Sequence, residues 1–201
     1  MSSSIRLARE SDAAVIASIY RPIVESTAIS FETEPPDEFE MLRRIRETVL
    51  QYPWLVYETR GDVVGYAYGT KHRVRAAYQW SVDVSICVHA AYRRWGIARG
   101  LYASLFGIVA AQGFFNAYAG IALPNTASVA LHESLGFQAL GVYRDVGYKL
   151  GAWHDVGWWQ LVLKRHDMSP SVPLDLETMK RHPDWQRLLA RGESAVRAHA
   201  A

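Results

Sequence analysis

The residues whose types and spacing can do chemistry concentrate between Trp80 and Arg99, WSVDVSICVHAAYRRWGIAR. Asp83 is the only acid in this stretch. A carboxylate raised in pKa by partial burial can take a proton directly or through a water. Downstream, Arg93-Arg94-Trp95-Gly96-Ile97-Ala98 sets two cations and two small residues just before a helical periodicity. The first N–H groups of a helix have no intrahelical partner and its dipole favours negative charge there, so the turn suits an anion. The small residues let backbone approach a phosphate. The turn is neither a Walker loop nor a dinucleotide G-x-G-x-x-G.

Further candidates lie on either side. Arg73, Arg75 and Tyr78 precede the acid, and arginines clamp a carboxylate or phosphinate through paired hydrogen bonds. His154 stands between Trp153 and Asp155, an imidazole in the pH range where proton transfer is useful. Phe31 is a candidate pocket wall. Cys87 could accept an acyl group, but a lone strand cysteine reads as a small buried hydrophobe. The seven histidines show no metal-ligand spacing, so no metal is expected.

These residues need elements to hold them. Trp80, Val82, Val84, Ile86 and Val88 alternate with Ser81, Asp83, Ser85 and Cys87, the period of a strand. Ile97, Leu101, Leu105, Ile108 and Val109 then recur at helical spacing. Upstream, Ile5–Ala8 reads as a strand, with Ser11 capping a helix that Pro22 should kink or divide. Thr27–Thr33 reads as extended. Asp37 to Glu40 resembles a capping box for a helix reaching Leu50. Trp54–Thr59 and Val63–Lys71 form a hairpin. Downstream come a strand over Phe115–Leu123, a short helix ending at Ser134 before Gly136, and strands over Ala139–Tyr148 and His154–Lys164. The order predicts an α/β fold, a mixed, twisted sheet with helices on both faces. Pro170 and Pro173 mark a linker, and Asp184–Ala200 reads as a helix.

At 201 residues and net charge +2, the chain suits one domain with an appendage and carries no nucleic-acid footprint. A single cysteine excludes an internal disulfide and fits a reducing, cytoplasmic setting. The sequence holds neither a signal core nor an apolar run of membrane-spanning length.

Arg93-x-x-Gly96-x-Ala98 is similar to the pyrophosphate-binding turn of the GCN5-related N-acetyltransferases (GNAT). Leu123-Pro124-Asn125 through Gly136-Phe137 looks like the second half of an acetyl-CoA site. Phe31-Glu32-Thr33-Glu34-Pro35, Arg75-Ala76-Ala77-Tyr78, Gly147-Tyr148-Lys149 and Trp153 to Gln160 resemble the phosphinothricin and methionine sulfoximine N-acetyltransferase branch. The resemblance spans about residues 5 to 165, leaving 166–201 as an extension. It implies acetyl-CoA as co-substrate, a small amino acid as acceptor and a homodimer. It further implies that Ile86, Cys87 and Val88 pair their backbone with pantetheine. Arg93, Arg94, Trp95, Gly96, Ile97, Ala98 and Arg99 would hold pyrophosphate, with Asn125 and Ser128 on the pantetheine arm. Asp83 stands where the branch usually has Glu as base, so a water would bridge the missing methylene. His132 holds the helix position where many relatives carry a thiolate-protonating Tyr.

The expected activity is therefore direct acetyl transfer to an α-amine, with Asp83 as base assisted by His154. Another amine or a peptide N-terminus as acceptor, or a CoA-binding sensor without turnover, are the alternatives.

Overall fold

The computed structural model describes residues 3–197. Its strands are β1 (Ser3–Leu7), β2 (Trp54–Thr59), β3 (Asp62–Lys71), β4 (Ser81–Val88), β5 (Asn116–Leu123), β6 (Gln138–Lys149) and β7 (Ala152–Val162). The helices are α1 (Ala13–Ser26), α2 (Glu38–Thr48), α3 (Ile97–Gln112), α4 (Thr126–Ser134), α5 (Leu176–Lys180) and α6 (Trp185–Ala190). The strands form one seven-stranded sheet in the order β1-β2-β3-β4-β5-β7-β6. Every neighbouring pair is antiparallel except β4–β5. The sheet is mixed and covered on both faces, as expected.

On one face α3 buries Ile97, Leu101, Leu105 and Ile108 against Val82, Val84, Ala117 and Ala119. On the other, Ile16 and Ile19 of α1 and Met41 and Ile45 of α2 pack on Trp54, Val56 and Tyr66. Both helices earn their place by apolar residues at helical spacing. Asp37 accepts from the Glu40 N–H at 2.8 Å and caps α2, which stops at Thr48 rather than Leu50.

Three local expectations are corrected. Pro22 lies inside α1, which runs unbroken; burial of Ile16, Ile19 and Val24 holds the helix across the missing donor. Ser11 sits within a 3-10 turn, and Asp12 rather than Ser11 precedes α1. Residues 27–33 form a loop, not a strand. Side chains satisfy this loop: the Lys149 ammonium donates to Val24 O and Ser30 O at 2.6 and 2.7 Å. Glu32 accepts from Arg44 and from the Tyr20 hydroxyl.

The segment after β7 runs back along α3. Leu174 N–H donates to Gln112 O, the Ser104 hydroxyl to Leu189 O, and Arg197 N–H to Trp95 O. The expected long helix is instead α5, α6 and a 3-10 turn at Glu193–Ala195, with bends that follow α3. Positions 198–200 of that expectation lie outside the described residues.

Candidate active site

β4 and β5 pair over only three rungs, Ser81 with Asn116, Val82 with Ala117 and Asp83 with Tyr118. Beyond Asp83 the strands part. β4 keeps β3 on one edge as far as Val88. Its other edge, Val84 to Cys87, lines a cleft of about 160 Å³ together with Ala119 to Ala122 of β5. Backbone groups along such an edge are ready to pair with an extended ligand. Asn125, Ser128 and His132 line the cleft from the α4 side, and Tyr20, Ser30, Tyr66 and Tyr68 from the α1 side, so it passes between the faces of the sheet.

The turn after β4 stands at the start of α3. Arg94 and Gly96 have φ of 66° and 85°, the left-handed region that leaves Gly96 strain-free. The first N–H groups of α3 have no carbonyl of the helix to donate to. Arg99 reaches across to donate to the Ser134 hydroxyl at 2.8 Å, tying α3 to the end of α4. Asn125 caps α4 through its side-chain oxygen, accepting from Ser128 N–H. Its amide NH₂ is therefore the group it offers a ligand.

Asp83 sits at the last rung. Burial raises its pKa, opposed by a hydrogen bond from His72 and by the Arg73 charge. The His72 Nδ1–Asp83 Oδ1 distance is 2.6 Å. His72 also stacks on Tyr118, ring centroids 4.3 Å apart at 14°. Sequence reading missed His72. The signal was the strand register: Lys71 pairs with Val82, which sets His72 diagonal to Asp83.

His154 is not brought to Asp83. Tyr118, opposite Asp83, pairs with Gln160, six residues beyond His154 on β7, or about 20 Å at strand rise. The His154 Nε2–H donates to Lys149 O at 3.0 Å, and Asp155 is engaged by Arg144 instead. Phe31 lies near His154, on Gly147, where any Cβ would strike its ring. The expected Asp83–His154 partnership is thus replaced by Asp83–His72.

Both nitrogens of buried His132 are occupied. Nδ1–H donates to Ser128 O at 2.8 Å, and Nε2 accepts from the Tyr102 hydroxyl at 3.1 Å. Burial lowers its pKa, and the two hydrogen bonds hold the neutral ring in one tautomer with its single N–H committed to Ser128 O. Cys87 is half-buried and its thiol is pushed up to about 11, chiefly by desolvation. It is a protonated, poor nucleophile at neutral pH.

A second cavity of about 360 Å³ is lined by His72, Arg73, Tyr118, Tyr143 and Trp158, among others. The Arg73 guanidinium lies 5.3 Å over the Trp158 ring. Trp158 Nε1–H is buried without a hydrogen-bond partner among the described residues. Arg75 lines neither cavity and precedes a 3-10 turn, while Tyr78 meets His72 edge-on at 5.8 Å. Of the two arginines, Arg73 borders the second cavity and Arg75 borders neither cavity. Among the described residues no cluster of His, Cys, Asp and Glu could hold a metal, and no helix is long and apolar enough to cross a membrane.

A sheet parted at a parallel pair, beside a basic turn opening a helix, defines an acyltransferase of the acetyl-CoA type. The chain belongs to the GNAT acetyltransferase family: the acetyltransferase (GNAT) domain matches residues 5–158. It is 41% identical over 156 residues to the phosphinothricin N-acetyltransferase of Streptomyces viridochromogenes, covering 78% of this chain and 85% of that protein. With the L-methionine sulfoximine/L-methionine sulfone acetyltransferase of Salmonella typhimurium it shares 35% identity over 164 residues, 81% of this chain and 96% of that one. The crystal structure of a Sinorhizobium meliloti phosphinothricin acetyltransferase in complex with acetyl-CoA superposes with a TM-score of 0.81 at 34% identity, covering 90% of this chain and 100% of that one.

Proposed function

We propose that this chain transfers the acetyl group of acetyl-CoA to the α-amine of a small amino acid of the phosphinothricin or methionine sulfone class. The carrying observation is the parted β4–β5 pair with the acid Asp83 at its vertex. The backbone of Ile86, Cys87 and Val88 would pair with the pantetheine arm, and Asn125 and Ser128 would flank it. The turn from Arg93 to Arg99 would hold the pyrophosphate. Small residues at Ala119, Gly120 and Ala122 leave the cleft room for a chain to pass.

Transfer is direct, within a ternary complex. The neutral amine attacks the thioester carbonyl, the C–N bond forms and the C–S bond breaks. The departing sulfur takes up the proton that the attacking nitrogen sheds, in the part of the cleft lined by Tyr102 and His132. The high thiol pKa of Cys87 supports this reading over an acyl-cysteine. A polyamine acceptor would call for carboxylates, whereas the second cavity carries Arg73 and no acid among its lining residues.

The same proposal includes a homodimer. Tyr143, Val146, Tyr148 and Trp153 are exposed on β6 and β7, an apolar face that a second copy would cover. A cytoplasmic setting is supported by the free Cys87. Residues 1–165 form the transferase unit in this reading, with 166–201 as a C-terminal extension.

Thiol release from acetyl-CoA with an acceptor panel tests the activity. Phosphinothricin, methionine sulfone and methionine sulfoximine should give turnover and polyamines should not. Turnover confined to polyamines or peptides, or none at all, would remove this reading. Sedimentation of the free protein tests the dimer.

A further inference from the structure

We propose that His72, rather than Asp83, takes the proton from the acceptor ammonium, and that Asp83 is its positioning partner. This rests on the acetyl-transfer reading above and names the proton acceptor within it.

Asp83 lines neither cavity, whereas His72 lines the second one. The carboxylate can only accept, so the 2.6 Å contact with Asp83 places the proton on His72 Nδ1. That leaves the Nε2 lone pair as the ring's free acceptor. The ring is fixed by the stack on Tyr118 and by the edges of Tyr78 and Trp158, at 5.8 and 6.3 Å. A carboxylate holding one imidazole nitrogen while the other works as a base is a recurrent catalytic arrangement.

The dyad also answers the short side chain at position 83. An aspartate stops one methylene earlier than a glutamate would, and the imidazole extends the acid's reach into the cavity. That cavity abuts the cleft, because the Trp158 ring leans on Gly120, a cleft-lining residue, at 3.3 Å from its Cβ position. An acceptor seated there meets Arg73, whose guanidinium over the Trp158 ring suits an anionic group.

The ammonium gives one proton to His72 Nε2, forming an imidazolium whose charge Asp83 offsets. The neutral amine then attacks, and its second proton leaves with the thiol. The imidazolium returns its proton to solvent. The charged or titratable groups facing His72 are Asp83 on β4, Arg73 beside it, Tyr78 from the 3-10 turn, Tyr118 on β5 and, across the cavity, Tyr143 on β6.

The test is a double-mutant cycle on kcat/KM across pH. His72→Asn presents an amide N–H where Nδ1 stands, so it keeps the Asp83 contact and removes only the base. It should lower kcat/KM by about a hundredfold and erase the acid limb of the profile, with acetyl-CoA affinity unchanged as the check on folding. Adding Asp83→Asn to it should then change little, because a positioning residue has nothing left to position. His72→Asn with wild-type activity and profile would overturn the assignment. So would an Asp83→Asn loss of equal size in both backgrounds, which would return the base to Asp83. A wild type that releases no thiol with any acceptor removes the proposed function and this assignment together. An active wild type with a silent His72→Asn removes this assignment alone.

Discussion

Gly100 of α3 and Gly192 of the C-terminal segment meet backbone to backbone. A Cβ on Gly192 would fall on the Gly100 carbonyl, and one on Gly100 would stand 2.6 Å from the Gly192 carbonyl oxygen. Gly192 N–H also donates to the Ser104 hydroxyl, which donates in turn to Leu189 O. Gly192→Val should therefore lift the segment from α3 and cost about 1–3 kcal/mol, as overpacking does. For a chain of this size each kcal/mol lowers Tm by about 2–4 °C. Calorimetry checks it, and an unchanged melting curve would mean the segment does not dock.

Gly96 looks like the natural place to test the pyrophosphate turn, yet a Cβ there would strike Ala195 O and meet a positive φ. Ala98 is cleaner. An acid in the first turn of a helix stabilises it by about 0.3–1 kcal/mol while repelling a bound phosphate. Ala98→Asp should keep or raise Tm and weaken acetyl-CoA binding by about a hundredfold. Isothermal titration beside a thermal melt separates the two effects.

Arg73 and Arg75 should part company in kinetics. Arg73 borders the second cavity over Trp158, and Arg75 lines neither cavity. Arg73→Ala should reduce kcat/KM for the amino-acid acceptor by about ten- to a hundredfold, the loss expected of one charge-assisted contact. Arg75→Ala should be nearly silent. The reverse order would relocate the acceptor.

Asp12 ties β1 to α1. It accepts from Arg6 at 2.7 and 3.0 Å and from Arg9 N–H at 2.7 Å. Burial alone would raise its pKa, but these donors prevail and hold it below the usual 3.8. A depressed carboxylate stabilises the fold above its unfolded pKa and loses that contribution as pH falls through its folded value. Asp12→Asn should cost about 3 kcal/mol at neutral pH. The gap from wild type should close below pH 3.8, which urea titrations at several pH values would read.

What the sequence made legible was whatever is encoded by period or by local chemistry. The alternation through Val82 and Val84, the apolar stripe of α3 and the Asp37–Glu40 cap all appear where their patterns put them. The loop at 27–33 did not, because its order comes from Lys149, which is 119 residues from Ser30 in sequence. His72 escaped for the same reason as His154 misled. Proximity to Asp83 is set by strand order and register, and β7 places His154 six residues past the rung that matters. The broken C-terminal helix follows from contact with α3, a tertiary demand that helical composition does not announce.

The three rungs joining β4 to β5 make Asp83 and Tyr118 the apex of a wedge. On one side lie β1 to β4, on the other β5, β7 and β6, and the cleft is the space between the two half-sheets. α3 spans both, packing on Val82 and Val84 of one and on Ala117 and Ala119 of the other. His72, held to Asp83 and stacked on Tyr118, ties the two halves together at the narrow end. A chain entering from the wide end therefore runs between two strand edges toward a fixed group at the bottom.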